Sequence, residues 1–126
     1  MLISNTDKNI SYKLQLAAQH NSETLMDDTP DWVQYIQDHR QLLIKNATKI
    51  NVTEALMSVY RYRPRKFLAN MGYPEDLELV FRLINRFGDD LSFTEKHLEY
   101  IYIPDYDYTV DLRKMYLTLS AQIKSL

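Results

Sequence analysis

Three histidines are the first candidates for acid–base or metal chemistry: His20, His39 and His97. A zinc site draws on His, Cys and carboxylates at short recurring spacings. These three share no such spacing and fall in different predicted elements, so they read as surface or boundary residues. No metal site is assigned. The chain has no cysteine, which removes thiolate ligands, cysteine nucleophiles and disulfides together, and this is the usage of a reducing compartment. Asp105, Asp107 and Asp111 resemble the start of a calcium loop. Such a loop needs glycine at its sixth position and a bidentate glutamate at its twelfth. Here those positions hold Val110 and Tyr116. The acids fit the positive end of a following helix better. Asp27/Asp28 and Asp89/Asp90 are sequence neighbours, not a general acid–base pair.

Phosphate-cradling loops are excluded more firmly. They need clustered glycines, because backbone must approach phosphate closely. This chain has two, Gly72 and Gly88, and both read as helix stops. No nucleophile, base and oxyanion set assembles from the sequence. The expectation is a protein with no catalytic residues, no cofactor and no small-molecule substrate.

Charge placement says more. The net charge is −2, which gives no overall nucleic-acid footprint. Yet Arg61, Arg63, Arg65 and Lys66 form a basic knot interleaved with Tyr60 and Tyr62. Asp89, Asp90, Glu95, Glu99, Asp105, Asp107 and Asp111 form an acidic stretch carrying Tyr100, Tyr102, Tyr106 and Tyr108. Tyr and Arg are enriched where proteins bury surface against each other. Alternating Tyr and Arg also suit a structural strand ladder, or stacking on single-stranded nucleic acid. The candidate partner interface is therefore Tyr60, Arg61, Tyr62, Arg63, Arg65, Lys66, Tyr100, Tyr102, Tyr106 and Tyr108. Arg61 or Arg63 is expected to meet an acid across it. Nucleic acid is the weaker alternative, because four charges on an acidic chain make a poor funnel.

These residues must be positioned by one domain, since 126 residues suit one core and no more. No apolar run approaches the roughly 18 residues that span a bilayer, so no membrane insertion is expected. Residues 1–28 read as a polar N-terminal arm, with a short helix over Ser11–His20 carried by Ile10, Leu14, Leu16, Ala17 and Ala18. The arm is expected to lack contacts with its own core and to lie on a neighbouring subunit. The domain proper is 29–126. Thr29 and Pro30 open a helix predicted over Pro30–Ala47. Ile50 and Val52 alternate in a strand over 48–53, residues 54–59 are ambiguous, and Tyr60–Arg63 alternates again. Helices follow over 65–71 and 74–87. A strand over 98–103 ends at Pro104, and a last helix over 108–124 has the stripe Leu112, Met115, Tyr116, Leu119 and Ile123.

The middle of the chain, 48–104, carries Phe67-Leu68-Ala69, Gly72-Tyr73-Pro74-Glu75-Asp76-Leu77, Val80-Phe81-Arg82-Leu83-Ile84-Asn85 and Ile101-Tyr102-Ile103-Pro104. It resembles the LysM module, and within that group the LysM-type baseplate wedge proteins of contractile-tailed bacteriophages. The resemblance implies an α+β fold: a LysM-like strand–helix–helix–strand core, one flanking helix on each side, and the extended N-terminal arm. It implies a structural virion protein of the phage tail baseplate, made in the host cytoplasm and holding other tail or baseplate proteins by protein–protein contacts. The alternatives are a LysM-type glycan (peptidoglycan) binding module and a small nucleic-acid-binding regulator. The usual G-D-T-L opening of sugar-binding LysM modules is replaced here by Asn51-Val52-Thr53-Glu54.

Overall fold

A computed structural model describes residues 25–124. The expected arm helix over 11–20, and His20, lie outside the described residues. The element order is α1 (Pro30–Asp38), α2 (Arg40–Lys45), β1 (Thr48–Asn51), α3 (Glu54–Tyr60), α4 (Pro64–Asn70), a 3₁₀ turn (Glu75–Leu77), α5 (Glu78–Asn85), a second 3₁₀ turn (Asp90–Ser92), β2 (Tyr100–Ile103) and α6 (Tyr106–Lys124).

Local chemistry explains most boundaries. Pro30 and Pro64 occupy first-turn positions of α1 and α4, where a missing N–H costs nothing. Thr53 Oγ1 accepts from the Leu56 N–H at 3.0 Å and opens α3. Gly72 ends α4 at φ +85°, and the next N–H, that of Tyr73, reaches back to the Leu68 carbonyl. Asp105 starts α6, with Oδ2 accepting from the Tyr108 N–H at 2.9 Å. Thr29 caps differently from expectation: its hydroxyl makes no cap bond, and Asp27 Oδ1 accepts from its N–H instead.

Three predicted details need correcting. The helix over 30–47 is two helices hinged at His39, whose φ/ψ of −105°/16° leaves the helical region. His39 Nδ1 donates to the Tyr35 carbonyl at 2.8 Å and competes with the main-chain ladder there. Arg86, not Gly88, ends α5: it is left-handed at φ +58°, and Phe87 N–H reaches back to Arg82 O. Tyr60–Arg63 is not a ladder. It is the end of α3 and a turn in which Tyr62 stands at φ +64°.

The larger correction concerns the architecture. Among the described residues there are six α-helices and one open two-stranded antiparallel sheet. Three helices, not two, separate the strands, so the α+β, LysM-like strand–helix–helix–strand core is not what the chain forms. Thr53 caps a helix where the LysM order has none. The strands, four residues each, supply too little surface to act as a layer, so helices carry the core.

The register places Thr48 opposite Ile103 and Asn51 opposite Tyr100. Ile101 and Ile103 turn fully inward, while Tyr100 and Tyr102 stay half-buried. All four phenylalanines of the chain meet in one cluster, Phe67, Phe81, Phe87 and Phe93. Their ring centroids lie 5.5–6.3 Å apart, in the range of favourable aromatic pairs. A second cluster gathers Leu25, Trp32, Ile36, Leu43, Val80, Ile84 and Leu112. Helix α5 divides the two: Phe81 faces the first, Val80 and Ile84 the second.

Leu25 is fully buried, and its carbonyl accepts from Trp32 Nε1. Asp27 pairs with Arg113 on α6 at 3.3 Å. Residues 25–28 are thus tied to the body, and the expectation of an arm without core contacts up to residue 28 fails at that end.

Asn85 joins sheet to helix. Its Nδ2 donates to the Tyr102 carbonyl at 2.7 Å and its Oδ1 accepts from the Tyr102 N–H at 2.8 Å. A second Nδ2 bond returns to Phe81 O. Asn85→Ala strands both main-chain groups of Tyr102. It should destabilise the fold by about 2–4 kcal/mol, read by urea denaturation with an unchanged m-value.

Candidate protein interaction surface

The structure splits the ten tyrosine and cationic residues singled out above. Arg61 donates through Nε and Nη2 to both oxygens of Glu95, at 3.1 and 2.7 Å. Arg65 makes the same two-point grip on Glu78 at 2.7 and 3.3 Å. Arg82 also donates to Glu78 and pairs onward with Asp90. The expected acid for Arg61 is therefore inside its own chain. Tyr60 packs edge-on to Phe67, and its hydroxyl accepts from Asn70 Nδ2. Tyr106 donates to Asp76 Oδ2 at 2.9 Å. Tyr102 and Tyr108 pack on the second cluster, and Lys49 Nζ sits 3.8 Å over the Tyr100 ring. Three residues of the knot are left to solvent without an ion pair among the described residues: Tyr62, Arg63 and Lys66.

These pairings set the local charge states. Burial pushes the Glu78 carboxyl up, but hydrogen bonds and charge from Arg65 and Arg82 outweigh it and hold it below the ordinary value. The Arg61 hydrogen bonds hold Glu95 low as well. Glu78 lines a small recess of 220 Å³ with Arg65, Leu68, Ala69, Tyr73 and Glu75. Its carboxylate accepts three hydrogen bonds from the guanidinium groups of Arg65 and Arg82, so its charge is already paired within the chain.

The larger free surface lies elsewhere, on α6. This helix runs 19 residues, and the body covers only its first half. Thr109, Leu112 and Arg113 are buried. Beyond them Met115 is 57% exposed, Leu119 46% and Ile123 68%, and Leu117 is exposed on another side. Arg113 anchors the buried half: its guanidinium lies 4.7 Å from the Trp32 ring and 5.1 Å from that of Tyr116. The stripe Leu112, Met115, Tyr116, Leu119 and Ile123 therefore starts in the core and runs out into solvent. One groove beside it, of 420 Å³, is lined by Asp31, Tyr35, Tyr116, Leu119, Ser120 and Ile123. Periodicity marked the stripe but not its exposure. The available signal was the off-stripe Leu117 and a helix longer than its core contacts require.

His39 is tied to the Tyr35 carbonyl and stacks near that ring at 4.2 Å, and His97 is exposed. Among the described residues no group of three His, Asp or Glu is placed to hold a metal ion, and no helix is long and apolar enough to cross a membrane. No protein-family model matches the chain, and no curated protein or solved structure matches it. The LysM-type resemblance is thus supported by no relative.

Two outcomes follow from the ion pairs and the turn. Because the folded Glu78 titrates below its unfolded value, its charge stabilises the fold above the unfolded value, about 4.3, and that stabilisation is lost as pH falls through the folded value. Glu78→Gln should flatten this acid-side slope in a series of denaturation curves run from neutral pH downward. Tyr62 pays a left-handed backbone cost for a ring that is 46% exposed. Tyr62→Gly should leave thermal stability unchanged or raise it by up to about 1 kcal/mol, read by calorimetry.

Proposed function

We propose that the protein is a non-catalytic structural subunit that works by protein–protein contacts, with the outer half of α6 as its principal docking element. The observation that carries this reading is the run of Met115, Leu119 and Ile123 held in solvent along one face of a helix anchored at its other end. Scattered exposed apolar residues are ordinary, but a contiguous set on one element marks a contact surface. The helix face is already formed, so a partner orders little of it on binding. The basic knot supports nucleic-acid binding less well. Glu95 and Glu78 neutralise Arg61 and Arg65, which leaves only Arg63 and Lys66 to attract a phosphate backbone.

A phage tail baseplate is the assembly that the sequence resemblance names, so the test includes tail particles. Leu119→Glu with Ile123→Glu should keep the circular dichroism spectrum and melting temperature of the parent. It should abolish co-sedimentation of the chain with large complexes, tail particles among them, in gradients from producing cells. A steep fall in melting temperature would mean that the face belongs to the core. A parent chain that runs free in those gradients would remove the structural role.

A further inference from the structure

The described chain begins at Leu25, and 24 residues precede it. Their point of entry is fixed at the root of α6. Leu25 is fully buried, its carbonyl accepts from Trp32 Nε1, and Asp27 pairs with Arg113. The Trp32 ring lies 5.2 Å from that of Tyr116. Tyr116 in turn begins an apolar trough of 420 Å³ between α1 and the outer half of α6, which continues along Leu119 and Ile123 with Asp31 and Tyr35 on the α1 wall. The preceding segment thus joins the body one ring away from the trough. From Tyr116 to Ile123 the α6 wall is about 10 Å long, at the helical rise per residue.

We propose that residues 10–18 of this same chain occupy the trough, as a helix antiparallel to α6. The inference rests on the docking role of α6 proposed above and names what a partner must displace there. The lengths agree. Residues 19–24 reach up to about 20 Å when extended, and a nine-residue helix is about 13 Å long. Ile10, Leu14, Ala17 and Ala18 recur at the spacing of one helix face. A segment that leaves Leu25 toward the tip of α6 runs against that helix. Ala18, Leu14 and Ile10 then come in turn to Tyr116, Leu119 and Ile123, so the smallest side chain meets the largest ring. Lys13 borders the same face and complements Asp31, the charged residue on the trough wall. Tethering through a short linker gives the segment an effective concentration of about a millimolar, so it takes this seat ahead of a free chain of equal affinity.

The test is disulfide trapping in the full chain, which has no cysteine of its own. Under mild oxidation Ala17→Cys/Ser120→Cys should give a closed monomer that runs faster on a non-reducing gel. It should form roughly tenfold faster than in Ala17→Cys/Met71→Cys, because a disulfide needs its two residues held close. Met71 is the control because it is as exposed as Leu119 but follows α4, on the phenylalanine side of the body. Adding Leu14→Glu to the first pair should slow trapping to the control rate. In the otherwise unchanged chain, Leu14→Glu should raise hydrogen exchange at amides 117–123 several-fold. Melting temperatures of all variants serve as the fold control. Equal rates for the two pairs, a covalent dimer in place of the closed monomer, or trapping that Leu14→Glu does not slow overturns the proposal. If trapping fails while Leu119→Glu/Ile123→Glu still removes the chain from cellular complexes, the intramolecular occupant is wrong and the docking role stands. If trapping succeeds and the gradients show no complex, the docking role falls and the segment keeps its seat.

Discussion

One side chain does the work of a missing strand. A two-stranded ribbon of four-residue strands is marginal in water, and β2 would present Tyr102 N–H and C=O on an open edge. The Asn85 amide meets both groups with the donor–acceptor pattern a third strand would offer. Because Asn85 is the last residue of α5, the bond fixes β2 against that helix. Helix α5 in turn separates the phenylalanine cluster from the Trp32 cluster, with Phe81 on one side and Val80 and Ile84 on the other. The placement of α1, α2 and α6 follows from the second cluster, so the arrangement of the outer helices traces back to this one link.

The charges are arranged by the same packing. In the sequence the basic residues 61–66 and the acids 89–111 are separate blocks. In the fold they are partly partners, because α3, α4 and the segment after α5 surround the same phenylalanines. Tyr62 N–H bonds to Phe93 O at 2.8 Å, which brings Arg61 beside Glu95 two residues further on. Arg65, Glu78, Arg82 and Asp90 continue as a chain of alternating sign. Exposed pairs of this sort add little stability. Their larger effect is to cancel a surface field, which shifts the binding chemistry of the molecule from electrostatic toward apolar contact.

Much of the element map was legible because it is written in local chemistry. Pro30, Pro64 and Gly72 set boundaries where their backbone preferences require, and the alternation Tyr100–Ile103 marks a strand with one buried face. The misses have non-local causes. Tyr62 and Arg86 sit left-handed without glycine: Tyr62 is held by a bond to Phe93 from a distant turn, and Arg86 by the closing bonds of the last turn of α5, Phe87 N–H to Arg82 O among them. The kink at His39 comes from a ring nitrogen competing for a carbonyl, and Arg40 beside it donates to Ile84 O across the interior. Helix α3 was readable from Thr53 and Glu54 but was masked by the alternation that follows it. The strand–helix–helix–strand reading depended on that one omitted helix.

Helix α6 shows why a hydrophobic stripe and a buried face are different statements. Leu112 and Ile123 share the stripe, yet one is buried and the other is 68% exposed. Periodicity reports which residues face the same way; only the length of the surrounding body decides how far they are covered. Here the body stops near Tyr116. What holds the remainder in position is the anchor behind it. Arg113 is buried with its Nη2 on Asp27, and among the described residues its Nε and Nη1 have no hydrogen-bond partner. The rings of Trp32 and Tyr116 take up part of that charge, as cation–π contacts do best when water is excluded. A buried guanidinium held this way is costly to displace, because any movement of α6 would separate it from its carboxylate. The anchor thus fixes the direction of the helix at its root, and the apolar side chains beyond it are presented on a rigid support.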